Sequence, residues 1–153
     1  MEAAAGNVGM LATLADMTYA GDISPIDTFA ALTADPQAVL VDVRTAAEWA
    51  YVGVPDVSGI GKEAVLIEWV GYPGGVRNDN FVDDLVEAGI TGGRPIYFLC
   101  RSGVRSKHAA EAATAAGLGP AYNISDGFEG QLDVAHHRGV GGWKASGLPW
   151  RQG

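Results

Sequence analysis

The sequence predicts an α/β domain with a mostly parallel central sheet of about five strands and helices on both faces. Short apolar runs at residues 38–43, 64–69, 95–99 and 121–124 read as buried strands, because they lack a polar alternation. Between them lie segments with helical spacing and helix-start signals, the alternation expected of strands that are crossed by helices. Twenty-two glycines and seven prolines supply the turns that such a chain needs.

Each element follows from its own residues. Ser24-Pro25-Ile26-Asp27 opens a helix to about Ala34: serine caps, proline suits the first helical position, and aspartate favours the first turn. The strand at 38–43 is rich in valine and leucine. Thr45 and Glu48, three apart, form a capping box for a short helix to Tyr51. A strand at 64–69 ends in the turn Tyr72-Pro73-Gly74-Gly75. Residues 78–88 carry Phe81, Leu85 and Val86 on one side, and Asp83, Asp84 and Glu87 on the other, as a surface helix does. Gly92-Gly93-Arg94 turns into the strand at 95–99. A helix at 104–116 ends at Gly117, and a last short strand runs over 121–124. The glycine-rich tail from Gly127 is expected to be pinned to the domain by Trp143, Leu148 and Trp150. The expected division is an N-terminal extension over 1–22, packed on one domain over 23–153.

The whole chain narrows the function. A length of 153 residues buries a core without disulfides or metal. A net charge of −8 disfavours nucleic acid, whose phosphates need a basic face. No run approaches 18 apolar residues, so no membrane span is expected, and the start Met1-Glu2-Ala3-Ala4-Ala5-Gly6 has none of the basic residues of a secretory signal. A cytoplasmic protein without a cofactor is the expectation. One cysteine and three histidines offer no zinc-ligand spacing, and His136-His137 reads as a surface loop.

Chemistry concentrates at Cys100-Arg101-Ser102-Gly103-Val104-Arg105-Ser106. The single cysteine stands between a strand and a helix, and three of the ten lysines and arginines lie within residues 100–107. The helix start presents free backbone N–H groups. Arg101 and Arg105 add positive charge, and Gly103 lets successive N–H groups converge into an anion-binding nest. All three features favour negative charge on the sulfur or on what it carries. A buried cysteine is often an inert small hydrophobe, but an apolar site would not be flanked by two arginines. His108 fits an exposed helix position. Trp49 and Trp69 fit the core.

This loop resembles the active-site loop of the rhodanese sulfurtransferases. Val41-Asp42-Val43-Arg44 through Glu48-Trp49 resembles that family's Asp-Val-Arg and Glu-aromatic signature. Residues 123–130, with Gly127-Phe128, resemble its Gly-Gly-aromatic region, and Trp143 with Gly147-Leu148-Pro149-Trp150 resembles its ending. The likeness runs in order from about Ile23 to Pro149. It implies a rhodanese-like three-layer domain in which Cys100 is the nucleophile. Arg101 to Ser106 would bind the substrate and persulfide, with Ser106 steadying the helix start, while Asp42 and Arg44 brace neighbouring loops. Two departures stand out: Val54-Pro55-Asp56-Val57-Ser58-Gly59 replaces the family's His-Ile-Pro-Gly-Ala, and residues 131–139 are inserted before Trp143.

The implied reaction carries a sulfane sulfur from a small anionic donor such as thiosulfate to cyanide, a thiol or a protein acceptor, through a Cys100 persulfide. Lacking a second cysteine, the chain needs an outside molecule to discharge it. The alternatives are a cysteine phosphatase or arsenate reductase, and a non-catalytic rhodanese-like module that binds proteins. Loop length favours sulfur: four residues separate Cys100 from Arg105, where the related phosphatases have five around a tetrahedral oxyanion.

Overall fold

In the computed structural model, the described residues are 18–131 and 141–152. The elements run β1 (Gly21–Ile23), α1 (Pro25–Ala34), β2 (Val39–Asp42), α2 (Ala46–Tyr51), β3 (Val54–Pro55), a 3-10 turn (Ser58–Ile60), β4 (Val65–Leu66), α3 (Phe81–Glu87), β5 (Gly92–Leu99), α4 (Val104–Ala115), β6 (Gly119–Ile124), α5 (Gly142–Ala145) and β7 (Trp150–Arg151). Five strands form one sheet in the order β1-β6-β5-β2-β4, and every pairing in it is parallel. The short β3 and β7 pair antiparallel outside it, Val54 opposite Arg151.

Alternation along the strands divides the core into two layers. Val39, Val41, Ile96 and Phe98 face Phe81 and Leu85 of α3 and the alanines Ala109, Ala110 and Ala113 of α4. Leu40, Tyr97, Leu99 and Ile124 face Leu32 of α1 and Trp143 of α5. The alanines leave α4 no bulk on its inner side, so it can lie close to the sheet. Both faces are covered, as a parallel sheet requires.

Local chemistry accounts for the helix starts. Ser24 Oγ accepts the Asp27 N–H at 3.1 Å. The Thr45–Glu48 capping box forms in both directions. The helix expected over 78–88 starts later, at Phe81, because Asn78 is taken by its own turn. Its Oδ1 accepts the Asn80 N–H, and its amide reaches the Glu68 carbonyl and Asp84. The strand expected over 64–69 is regular only at Val65–Leu66, yet Ile67 and Trp69 still donate to Asp42 and Val43 carbonyls along β2.

Strand β1 lies outside the elements expected. Gly21-Asp22-Ile23 forms the sheet edge beside β6. In the tail, Trp143 is fully buried and donates Nε1–H to the Pro149 carbonyl at 2.7 Å. Trp150 remains partly exposed, set edge-on to Phe128. Residues 1–17, His136-His137 and nearly all of the 131–139 insertion lie outside the described residues. No helix among the described residues is long and apolar enough to cross a membrane.

Candidate active site

Chain order puts the site at the carboxyl ends of β2 and β5. The chain runs outward from β2 to β4, then returns to place β5 on the other side of β2. Parallel sheets open a crevice at such a reversal. Asp42 pairs in register with Leu99, so Arg44 and Cys100 leave the sheet side by side.

Cys100 follows β5 directly, on the face it shares with Ile96 and Phe98, and is 1% exposed. Its Sγ accepts the Gly103 N–H at 3.1 Å and lies 3.1 Å from Ser106 Oγ. Gly103 caps α4 with φ +106°, a conformation that L side chains rarely adopt, and an added Cβ would strike the Ser125 carbonyl. A second loop locks the first: Phe128 and Glu129 donate N–H groups to the Cys100 and Arg101 carbonyls at 2.8 and 2.9 Å. Gly127 permits this approach, since a Cβ there would lie 2.5 Å from the Arg101 carbonyl oxygen. Gln131 adds a side-chain hydrogen bond to the Ser102 carbonyl. The Cys100, Arg101 and Ser102 carbonyls are thus tied off behind the loop, while the Gly103 N–H turns to the sulfur.

The two loop arginines differ. Arg105 forms a fork-to-fork pair with Glu48, at 2.6 Å (Nη1 to Oε1) and 3.0 Å (Nη2 to Oε2). Burial works against the ionised Glu48. The Arg105 hydrogen bond, the Thr45 N–H and the charges of Arg105 and Arg44 outweigh it and hold the carboxyl at about 2. The same hydrogen bond raises Arg105 further above its ordinary range. Arg105 is therefore not the free cation that donor steering requires. Arg101 is exposed and, with Thr45, Glu48, Tyr51, Tyr72 and Arg105, lines a cavity of about 500 Å³. Ser102 is half-buried, and Val104 and Lys107 are exposed. His108 points outward to Glu111.

Asp42 and Arg44 form a fully buried pair, Nη2 to Oδ2 at 2.7 Å. Arg44 also donates to the Gly53 carbonyl at 2.7 Å, and its guanidinium lies 4.3 Å from the Phe128 ring centroid. The pair joins the loop after β2, the turn after α2 and the clamp behind the cysteine loop. Neither side chain is hydrogen-bonded to the sulfur.

Asn123 and Asp22 join the site through side-chain hydrogen bonds that the sequence does not reveal. Ser106 Oγ donates to Asn123 Oδ1 at 2.6 Å, and Asn123 Nδ2 donates to Asp22 Oδ1 at 3.0 Å. Asn123 stands one residue before the carboxyl end of β6, where polar side chains of α/β proteins gather; that position is the one signal the sequence offers. Among the described residues no group of three or more His, Cys, Asp or Glu could hold a metal.

Comparison with known proteins agrees with this architecture. The family described as the STR4 middle domain matches residues 20–153. An uncharacterized protein of Rickettsia conorii is 40% identical over 123 residues, covering 78% of this chain and 88% of that protein. Rhodanese-like domain-containing protein 4 of Arabidopsis thaliana, chloroplastic, is 30% identical over 81% of this chain, which spans only 24% of that longer protein. Among solved structures, Rv0390 from M. tuberculosis superposes with a TM-score of 0.81 at 56% identity, covering 88% of this chain and 99% of that one. A rhodanese-like domain protein from Staphylococcus aureus gives 0.52 at 26% identity, over 70% of this chain and 86% of that one. A polysulfide-sulfur transferase from Wolinella succinogenes shares the fold, with a TM-score of 0.60 at 21% identity over 95% of this chain and 89% of that one. The chain belongs to the STR4 middle-domain family and is rhodanese-like.

Proposed function

We propose that the protein is a sulfurtransferase that carries a sulfane sulfur on Cys100. One observation carries the reading: Cys100 Sγ accepts the Gly103 N–H inside a four-residue loop whose arginine, Arg105, is already held by Glu48. Such a loop suits a small anion on the sulfur itself. A phosphomonoester or arsenate would need a free guanidinium to grip its oxygens in pairs.

In the first half-reaction the Cys100 thiolate attacks the outer sulfur of a donor such as thiosulfate. An S–S bond forms to Cys100, the donor's S–S bond breaks, and sulfite leaves with its electron pair. The terminal sulfur lies about 2 Å beyond Sγ and carries the negative charge. The unpaired N–H groups that open α4 stabilise it. In the second half-reaction an acceptor, cyanide or a thiolate, attacks that terminal sulfur and returns Cys100 as thiolate. Arg101 supplies the positive charge that draws an anionic donor towards a protein of net charge −8. A protein acceptor fits the exposed rim formed by Tyr51 and Tyr72.

Intact-mass measurement after incubation with thiosulfate tests the reading. A gain of one sulfur is expected, removed by cyanide and absent in Cys100→Ser. Failure to gain sulfur from thiosulfate, mercaptopyruvate or a small persulfide overturns it and leaves the protein-binding module as the better account.

A further inference from the structure

We infer that Asn123, oriented by Asp22, is a positioning residue that decides where the Ser106 hydroxyl proton points and so sets the reactivity of Cys100. The inference deepens the sulfurtransferase reading and rests on it for its purpose, but not for its test.

Four groups stand in a line, built by strand register. Asp22 of β1 pairs with Asn123 of β6, and Asn123 pairs with Phe98, two residues before Cys100. The line runs Cys100 Sγ, Ser106 Oγ, Asn123 amide, Asp22 carboxylate, at 3.1, 2.6 and 3.0 Å. Its inner members are sealed from water, Ser106 being 0% exposed and Asn123 4%. The outer end is anchored by Tyr19, whose hydroxyl donates to the same Asp22 oxygen at 3.0 Å.

Donor and acceptor capacity fixes the direction. An ionised carboxylate only accepts, so Asp22 must face the Asn123 NH₂, which turns the amide oxygen inward. That oxygen only accepts, so it takes the single proton of Ser106. Ser106 Oγ then presents lone pairs to Sγ. It can accept an S–H, but it cannot donate to a thiolate without abandoning Asn123. The thiolate keeps the Gly103 N–H and loses a second donor. A thiolate with fewer donors is more basic and more nucleophilic. After sulfur is loaded, the charge sits on the terminal sulfur, and Sγ no longer needs the proton that Asn123 withholds. The line therefore favours transfer of charge outward. Other charges facing this region are Arg105, paired with Glu48, and the buried Asp42–Arg44 pair; none of them is hydrogen-bonded to Ser106 or Asn123.

The test is the pH profile of Cys100 alkylation by iodoacetamide, which needs no sulfur donor. It therefore fails or succeeds separately from persulfide formation. In Asn123→Ala the freed hydroxyl turns to Sγ. One hydrogen bond to a charged group raises the thiolate fraction below the midpoint about tenfold. The accompanying loss of nucleophilicity lowers the intrinsic rate about threefold. Net alkylation on the acidic limb becomes about threefold faster, and the alkaline plateau about threefold slower. Asp22→Ala, at an exposed position, lets the Asn123 amide flip and shifts the profile in the same direction by less. In a Ser106→Ala background neither substitution alters the profile. A general loosening of the loop speeds or slows both limbs together. That outcome, an unshifted profile in both Asn123→Ala and Asp22→Ala, or an effect that persists without Ser106, overturns the inference.

Discussion

Arg105 and Glu48, 57 residues apart, lock helix α2 to the start of α4 through two parallel hydrogen bonds. Glu48 simultaneously completes the capping box of α2, accepting the Thr45 N–H at 3.1 Å. One carboxylate thus holds the loop after β2 against the loop after β5.

This double use makes stability depend on acid in a particular window. Glu48 has a folded-state value of about 2 against an ordinary 4.5. A depressed carboxyl stabilises the fold above its unfolded value and loses that contribution as pH falls towards the folded one. Glu48→Gln is expected to be less stable near neutrality by about 1–2 kcal/mol. The gap in melting temperature between wild type and Glu48→Gln should narrow as pH drops from about 5 to about 2. A gap that stays constant across that range refutes the assignment.

The buried Asp42–Arg44 pair is expected to matter through its balance more than its attraction. Arg44→Met strips buried Asp42 of its guanidinium partner and leaves it only the residue-44 backbone N–H, in a site that is 0% exposed, and is predicted to cost about 3–5 kcal/mol. Chemical denaturation of the double variant Asp42→Leu/Arg44→Met checks this. The double loss should be well below the sum of the two single losses. Additive losses would mean that the pair is not an energetic unit.

Gly127 offers a sharper test of the clamp. It sits at φ +61°, and an added Cβ would lie 2.5 Å from the Arg101 carbonyl oxygen and 2.6 Å from that of Cys100. Gly61 has a similar φ of +77° with nothing within 4 Å. Gly61→Ala should therefore cost only the left-handed penalty of about 1–2 kcal/mol. Gly127→Ala should cost at least about 2 kcal/mol more, because two backbone carbonyls cannot yield without moving the cysteine loop. Equal stabilities in urea would show that the clamp is soft.

How much of this was legible in the sequence depended on range. Helices α1 and α2 announce themselves through Ser24-Pro25 and the Thr45–Glu48 box because caps are local chemistry. The core strands do so through runs of apolar residues. Cys100 was legible as the candidate nucleophile because a lone cysteine between strand and helix, among arginines, has few bland explanations. Strand β1 was not, since Gly21-Asp22-Ile23 is short and half polar, and acquires its identity only by pairing with residues 101 positions away. Arg105 read as a free cation for the same reason: nothing near it in the chain reveals Glu48. Asn123 stood inside a recognised motif region without a role, because its role is a hydrogen bond to a helix folded back across the sheet.

With Arg105 neutralised by Glu48, steering of an anion rests on Arg101, which is exposed at the cavity beside the loop. Two alkylating agents of nearly equal size separate charge from access: iodoacetate is an anion and iodoacetamide is neutral. Arg101→Ala is expected to slow iodoacetate about 3–10-fold at low salt, while leaving iodoacetamide unchanged. Arg101→Lys should restore most of the anion's rate. At about 0.5 M salt, where screening reaches only a few ångströms, the iodoacetate rates of wild type and Arg101→Ala should converge. The same direction of effect should appear, more strongly, in persulfide formation from thiosulfate, a dianion. If Arg101→Ala slows both agents equally, Arg101 shapes the loop instead of drawing the donor, and the positive potential at the site belongs to the N-terminus of α4 alone.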